Sequence, residues 1–246
     1  MGIVTHISGC MRCRYPVLIF LVLVACIFAV PPAAGDPADS AGWYAAGQNL
    51  TGAGNYSAGE AAYKQAIALD PDNADAWNGL ADVLNRANSY TADPLATLNL
   101  ALEASNQSLA LNASSPSAWI NRGQILYNIG YYYQETGDPA TANLYYNEQL
   151  DAFNQAISVD PDNAEAWFNK GYALCGVGRC SDGVAAFQKV EQLDPDYPYL
   201  QLNLDQAEKL AAAETPFYIT YAAEIVMAVI AVIAAGLWYT AVRKKY

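Results

Sequence analysis

The twelve residues AIALDPDNADAW at positions 66–77 return as AISVDPDNAEAW at positions 156–167, with Ala, Ile, Asp-Pro-Asp-Asn and Trp held in register. A phrase that recurs at a long interval marks an internal repeat, and an internal repeat restricts the chain to architectures built by stacking one unit on the next. Two fainter echoes, SLALNASSPSAW at 108–119 and VEQLDPDYPYL at 190–200, bring the number of units to four, at 40–73, 74–115, 116–163 and 164–197.

Each unit reads as two helices. In the first, Trp43, Gly47 and Leu50 and then Tyr56, Gly59, Tyr63 and Ala66 fall at helical offsets on two successive segments, with Gly52, Ala53, Gly54 and Asn55 between them as a turn. The large residues make one apolar stripe per helix, and the small ones let the paired helices come close. The phrase Asp70-Pro71-Asp72-Asn73 then ends the second helix, because proline disfavours helix in the residue before it and is itself well suited to open the next one. The repeated phrase is therefore expected to be the hinge between two hairpins, followed by a tryptophan buried in the core.

Laid on these positions, the chain resembles the tetratricopeptide repeat family. The first unit supplies Trp43, Gly47, Leu50, Gly59, Tyr63, Ala66 and Pro71, and the fourth supplies Trp167, Gly171, Leu174, Gly183, Phe187, Val190 and Pro195. The second unit begins with Trp77, Ala81 and Leu84 and the third with Trp119, Gly123 and Leu126, but they run eight and fourteen residues longer. The third has its turn at Gly137-Asp138-Pro139, so its surplus divides into about two added turns on each helix and predicts a taller hairpin. In the second, Asp93 caps a helix opening at Pro94, and most of the surplus falls in the turn NSYTADP. Tyr131, Tyr132, Tyr133, Tyr145 and Tyr146 crowd the tall tip, either packing between the long helices or offering a contact patch to another protein.

The resemblance implies an all-α, right-handed α-solenoid. Residues 198–214 are expected to form a helix that caps its last hairpin. The resemblance also implies a groove on the concave face, lined by the first helix of each hairpin, that binds a protein or peptide. The matching positions are Asn78, Asp82, Asn121, Gln124, Phe168, Asn169 and Tyr172. The family's carboxylate-clamp version uses Lys and Arg there, whereas this chain has only Arg86 and Arg122 nearby, so a neutral or basic segment is the expected occupant.

The two ends lie outside the repeats. Arg12 and Arg14 precede an apolar run from Val17 to Val30 and the small residues Ala33, Ala34 and Gly35, which reads as a signal peptide over 1–35 and leaves 36–39 as a short linker. Residues 217–242 are long and apolar enough for one C-terminal transmembrane helix, and the basic tail 243–246 places that end in the cytoplasm and the repeats on the extracytoplasmic side. Glu224 fits the outer interface beside Tyr221.

Charge and chemistry narrow the function. Residues 36–214 hold 7 Lys/Arg against 23 Asp/Glu, a net of −16 that repels phosphate backbones and excludes nucleic acid as a partner. The one histidine, His6, falls in the signal segment, and no glycine-rich phosphate loop is present, so neither an enzyme nor a cofactor nor a metal site is expected. Cys175 and Cys180 flank a turn and could close it as a disulfide outside the membrane. Of the Asn-x-Ser/Thr sequons at Asn49, Asn55, Asn106 and Asn112, Asn55 and Asn112 fall in expected turns and are the expected glycosylation acceptors. Two functions fit these features: an anchored scaffold for a partner protein, or a homo-oligomeric, self-associating subunit of the cell envelope.

Overall fold

The computed structural model describes residues 37–214. The signal and membrane segments expected at 1–35 and 217–242 lie outside them, and among the described residues no helix is long and apolar enough to cross a membrane. The described residues form nine α-helices: α1 (Ser40–Gly52), α2 (Tyr56–Leu69), α3 (Ala74–Ala87), α4 (Pro94–Leu111), α5 (Pro116–Glu135), α6 (Pro139–Val159), α7 (Ala164–Gly176), α8 (Cys180–Leu193) and α9 (Leu200–Glu214). A single 3-10 turn, Asn88–Tyr90, separates α3 from α4.

Four antiparallel hairpins, α1–α2, α3–α4, α5–α6 and α7–α8, follow one another, and α9 packs on α8 and α7. The first helices also touch in series, α1 on α3, α3 on α5 and α5 on α7, whereas among the described residues no two second helices meet. A stack whose first helices are closer together than its second helices is curved, with the first helices inside. By its contact with α7, α9 takes the place of a fifth inner helix.

The repeated phrase proves to be a local hydrogen-bond circuit. The Asp70 carboxylate accepts from the Asp72 N–H at 3.2 Å, and Asp160 and Asp194 do the same for Asp162 and Asp196 at 3.3 and 3.2 Å. Asn73 and Asn163 are the N-caps of α3 and α7, each accepting from a backbone N–H three residues on at 2.9 Å. The indole N–H of Trp77 donates back to the Pro71 carbonyl at 2.9 Å, and Trp167 does so to Pro161 at 2.8 Å. Trp119 makes the same bond to Ala113 at 2.9 Å, although its hinge has lost the Asp-Pro. Two expectations are corrected here. Pro71 and Pro161 sit inside the turn and do not open the next helix, which starts three residues later behind the Asn cap. The tryptophans are half-buried and clamp the hinge from the edge of the core, because an indole N–H needs an acceptor and the loop carbonyl supplies one.

Within hairpins, three turns share one device. Gly54, Gly137 and Gly178 adopt φ of 77°, 86° and 76°, which an L side chain rarely adopts. The next residue's N–H then reaches back five positions, Asn55 to Leu50, Asp138 to Tyr133 and Arg179 to Leu174, at 2.8–2.9 Å, as in a Schellman C-cap. The second hairpin lacks this glycine and turns through Asn88–Tyr90, with Asp93 accepting from the Ala96 N–H to cap α4 and Pro94 in its first turn.

Between helices, an aromatic from the second helix fills a glycine notch on the first. A Cβ added at Gly47 would lie 2.7 Å from the Tyr63 ring, and one at Gly171 would lie 2.9 Å from Phe187. Gly79 of the next hairpin closes on the other side of Tyr63, and Gly123 receives Phe153. In the tall hairpin α5 has 20 residues and α6 has 21, against 13 and 14 in α7 and α8. Trp119 holds the base of α5 in register with its counterparts, so the tip rises by about 10 Å at 1.5 Å per residue. The cap α9 buries Leu200, Leu204 and Ala207 against Phe187 and Val190.

Candidate binding groove

Two hollows lie on the inner face. The first, about 320 Å³, is formed by α1, α3 and α5 over Tyr63 and contains the expected residues Asn78, Asp82 and Asn121, with Tyr44 and Gln48 beside them. Its polar groups are largely engaged with one another. The Arg86 Nε donates to both Asp82 oxygens at 2.9 Å, an i,i+4 pair on α3 that holds the guanidinium above its ordinary value. The Asn121 amide donates to the Asn78 oxygen at 2.8 Å, and two helical turns further on Asn128 donates to Asn85 at the same distance. This second rung is the deeper, since Asn85 is buried. Burial pushes the Tyr44 and Tyr63 phenols up.

The second hollow, about 350 Å³, lies between the tall hairpin and the cap. Tyr127, Tyr131 and Gln134 of α5 and Tyr146 and Gln149 of α6 form one wall, Tyr172 of α7 part of the floor, and Asn203, Gln206 and Leu210 of α9 the opposite wall. No carboxylate, ammonium or guanidinium lines it. Tyr127 stacks on Tyr131 with centroids 6.3 Å apart and meets Tyr146 at 6.1 Å, while the Tyr146 hydroxyl donates to Gln134 Oε1 at 3.0 Å. Burial first, and then neighbouring phenols, raise the pKa of Tyr127 and Tyr146. Tyr131 and Tyr172 keep 49% and 53% of their surface exposed, so ring faces are open to a ligand.

Of the seven groove residues expected from sequence, three meet in the first hollow and Tyr172 lies in the second. Gln124 and Asn169 are half-buried on α5 and α7, outside the lining of either hollow. Phe168 is also outside the lining of either hollow. Its ring packs edge-on against Phe187 at 5.4 Å and against Tyr197 at 4.9 Å, wedging the last hairpin under the cap. Tyr133 and Tyr145 stack at 5.6 Å with an interplanar angle of 6°, so these two tip tyrosines pack within the hairpin, whereas Tyr131 faces the hollow. Sequence reasoning missed Tyr127 and the α9 residues. A signal for the latter exists: Asn203, Gln206 and Leu210 follow a spacing of three and four, which places them on one helical face.

Cys175 and Cys180 lie on either side of the α7–α8 turn, Cys180 buried and Cys175 half-buried. Asn55 and Asn112 are exposed at helix ends, where Asn55 caps α2 and Asn112 accepts from the Ser114 N–H at 3.1 Å. Among the described residues no group of three His, Cys, Asp or Glu side chains is placed to hold a metal.

Residues 44–109, 123–153 and 152–183 each match the family described as tetratricopeptide repeat. No curated protein matches the chain in sequence. Among solved structures it is similar to a thermophilic TPR protein of Thermus thermophilus, with 18% identity, a TM-score of 0.58 and coverage of 78% of this chain and 99% of that one. It is also similar to pilF of Pseudomonas aeruginosa, with 18% identity, a TM-score of 0.50 and coverage of 72% and 77%. At such identities the likeness concerns the fold. The matched segments together span more than half of the chain and fall on the stacked hairpins, and the protein belongs to the tetratricopeptide repeat family.

Proposed function

We propose that this protein is a membrane-anchored, extracytoplasmic scaffold that holds a neutral or basic segment of a partner protein in its concave groove. Tetratricopeptide repeat proteins mediate protein–protein interaction. The observation that carries the reading is the pair of hollows on the inner face, furnished with tyrosines and amides, groups that bind a peptide backbone and side chains. The anchor and orientation rest on the apolar stretch 217–242, the basic tail after it and the signal-like segment 1–35. The scaffold has no catalytic step.

Affinity capture from native membranes with the intact protein tests the groove. Gln48→Ala and Tyr172→Ala, one in each hollow, should each reduce recovery of a defined partner, while Lys64→Ala on α2 should not. Equal recovery with all three would remove the groove from the account. A periplasmic reporter fused after residue 214 should be active, and activity of a cytoplasmic reporter there would reverse the orientation. A mass that rises with concentration in light scattering, with no partner recovered, would replace the scaffold by a self-associating subunit.

A further inference from the structure

The geometry points to a specific occupant for the second hollow: an uncharged, proline-containing segment in the extended polyproline conformation. The inference rests on the groove reading above and specifies what its C-terminal half selects.

Charge comes first. The repeat domain carries 23 Asp/Glu, yet none of them, and none of its Lys or Arg, lines this hollow. The Glu135 carboxylate acts on Tyr146 from beside the hollow but is not part of its lining, so a charged side chain seated among the rings would leave water without an opposite charge against it, and that desolvation disfavours it. The first hollow agrees, because the one carboxylate in its lining is already held by Arg86 at 2.9 Å and does not call for a cationic partner. The basic segment is therefore the weaker of the two occupants, and a neutral one is favoured.

Shape and polarity then select within neutral segments. Tyr131 on α5 and Tyr172 on α7 present half-exposed rings to one hollow, with Tyr127 and Tyr146 packed behind. Flat aromatic faces suit proline rings, which are rigid and apolar. A polyproline helix forms no internal hydrogen bonds, so all its carbonyls seek donors, and it loses little conformational freedom on binding. Gln134 and Gln206 place side-chain amides beside the rings, whereas the Asn203 amide already donates to the Tyr199 carbonyl at 2.8 Å and Gln149 is buried in the wall. Gln134 accepts from Tyr146 through its oxygen, which leaves its NH2 group as a donor. A regular strand would demand acceptors as well as donors along one edge, and this hollow is bounded by helices whose backbones are already bonded.

The test uses the full chain in detergent micelles and a fluorescent oligoproline peptide of about ten residues, read by anisotropy. Binding is expected, with a loss of affinity of about five- to tenfold for each of Tyr131→Ala and Tyr172→Ala, the size of a lost aromatic contact. The same peptide with a central Asp or Lys should bind at least about tenfold more weakly. Circular dichroism and melting of the variants show that they remain folded. The proposal is overturned if oligoproline fails to bind, if the charged peptides bind equally, if neither tyrosine variant weakens binding, or if a neutral maltodextrin binds where oligoproline does not. Failure of this proposal alone is recognisable, since the native partner would still be lost with Gln48→Ala. Loss of no partner with either groove variant would instead retire the groove reading.

Discussion

The two hollows occupy equivalent places on the inner face, yet they are closed in different ways. In the first, the polar side chains pair with each other, Asn121 with Asn78 and Arg86 with Asp82, and the Asn128–Asn85 rung ties α3 and α5 together beyond it. In the second, the tyrosines pack sideways and leave ring faces unmatched. A paired amide at a helix interface fixes the register of two helices, whereas an unmatched ring face can take a ligand. The comparison teaches that stacking precision and ligand contact are separated along the chain, the N-terminal hairpins supplying more of the first and the tall hairpin with its cap more of the second.

The largest expected effect strikes the floor of the first hollow. Tyr63 is held between Gly47 and Gly79, so its ring cannot move aside for a methyl group on either. Gly79→Ala should destabilise the domain by about 1–3 kcal/mol through overpacking, less the helix propensity that alanine restores. The counterpart in the second hollow is Gly130, whose added Cβ would lie 2.7 Å from the Tyr146 ring. Tyr146 is half-buried whereas Tyr63 is only 3% exposed, so Gly130→Ala should cost less. Thermal unfolding of both variants checks the contrast, and equal losses would break it.

Next come the amide rungs. Asn128→Ala leaves the Asn85 oxygen, on a residue only 8% exposed, without its donor, a loss of about 1–3 kcal/mol. Replacing both asparagines with leucine should cost less than the two single changes added together, since the unpaired group is then gone. Additive losses in chemical denaturation would show that the rung does not couple α3 to α5.

A smaller effect concerns the hinge shared by both regions. Trp167→Phe keeps most of the apolar surface but removes the bond to the Pro161 carbonyl, and it should cost about 1 kcal/mol. The hinge was also the part most legible in the sequence. Apart from the Asn73 amide, which reaches Ser40 of α1 at 2.9 Å, each bonded pair of the hinge spans six residues or fewer, so spacing alone brings Asp70, Asn73 and Trp77 into one turn. The turns at Gly54, Gly137 and Gly178 are legible for the same reason. The hollows are not, because they are assembled across hairpins. Asn78 and Asn121 are 43 positions apart, and the second hollow joins Tyr127 to Leu210. The packing of Phe168 was not legible because its neighbour Tyr197 belongs to the segment entering the cap, a contact that helical periodicity within α7 does not contain. The half-burial of the tryptophans was missed because aromatic spacing reports the apolar ring and is silent about where the N–H finds its acceptor.

The smallest expected change in stability is the one that separates the two regions most sharply. Tyr172 is 53% exposed on α7, so Tyr172→Ala gives up little buried surface and gains helix propensity. Its unfolding free energy should stay within about 0.5 kcal/mol of the parent. Asn78→Ala in the first hollow should cost more, because it strips the Asn121 amide of its acceptor at an interface between helices. Denaturant titration of the two variants therefore inverts the order expected for ligand binding, in which Tyr172→Ala is the damaging one. If Tyr172→Ala instead unfolded the domain as readily as Asn78→Ala, the exposed rings would belong to the packing of the tall hairpin, and the distinction between a register-setting hollow and a ligand-taking hollow would collapse.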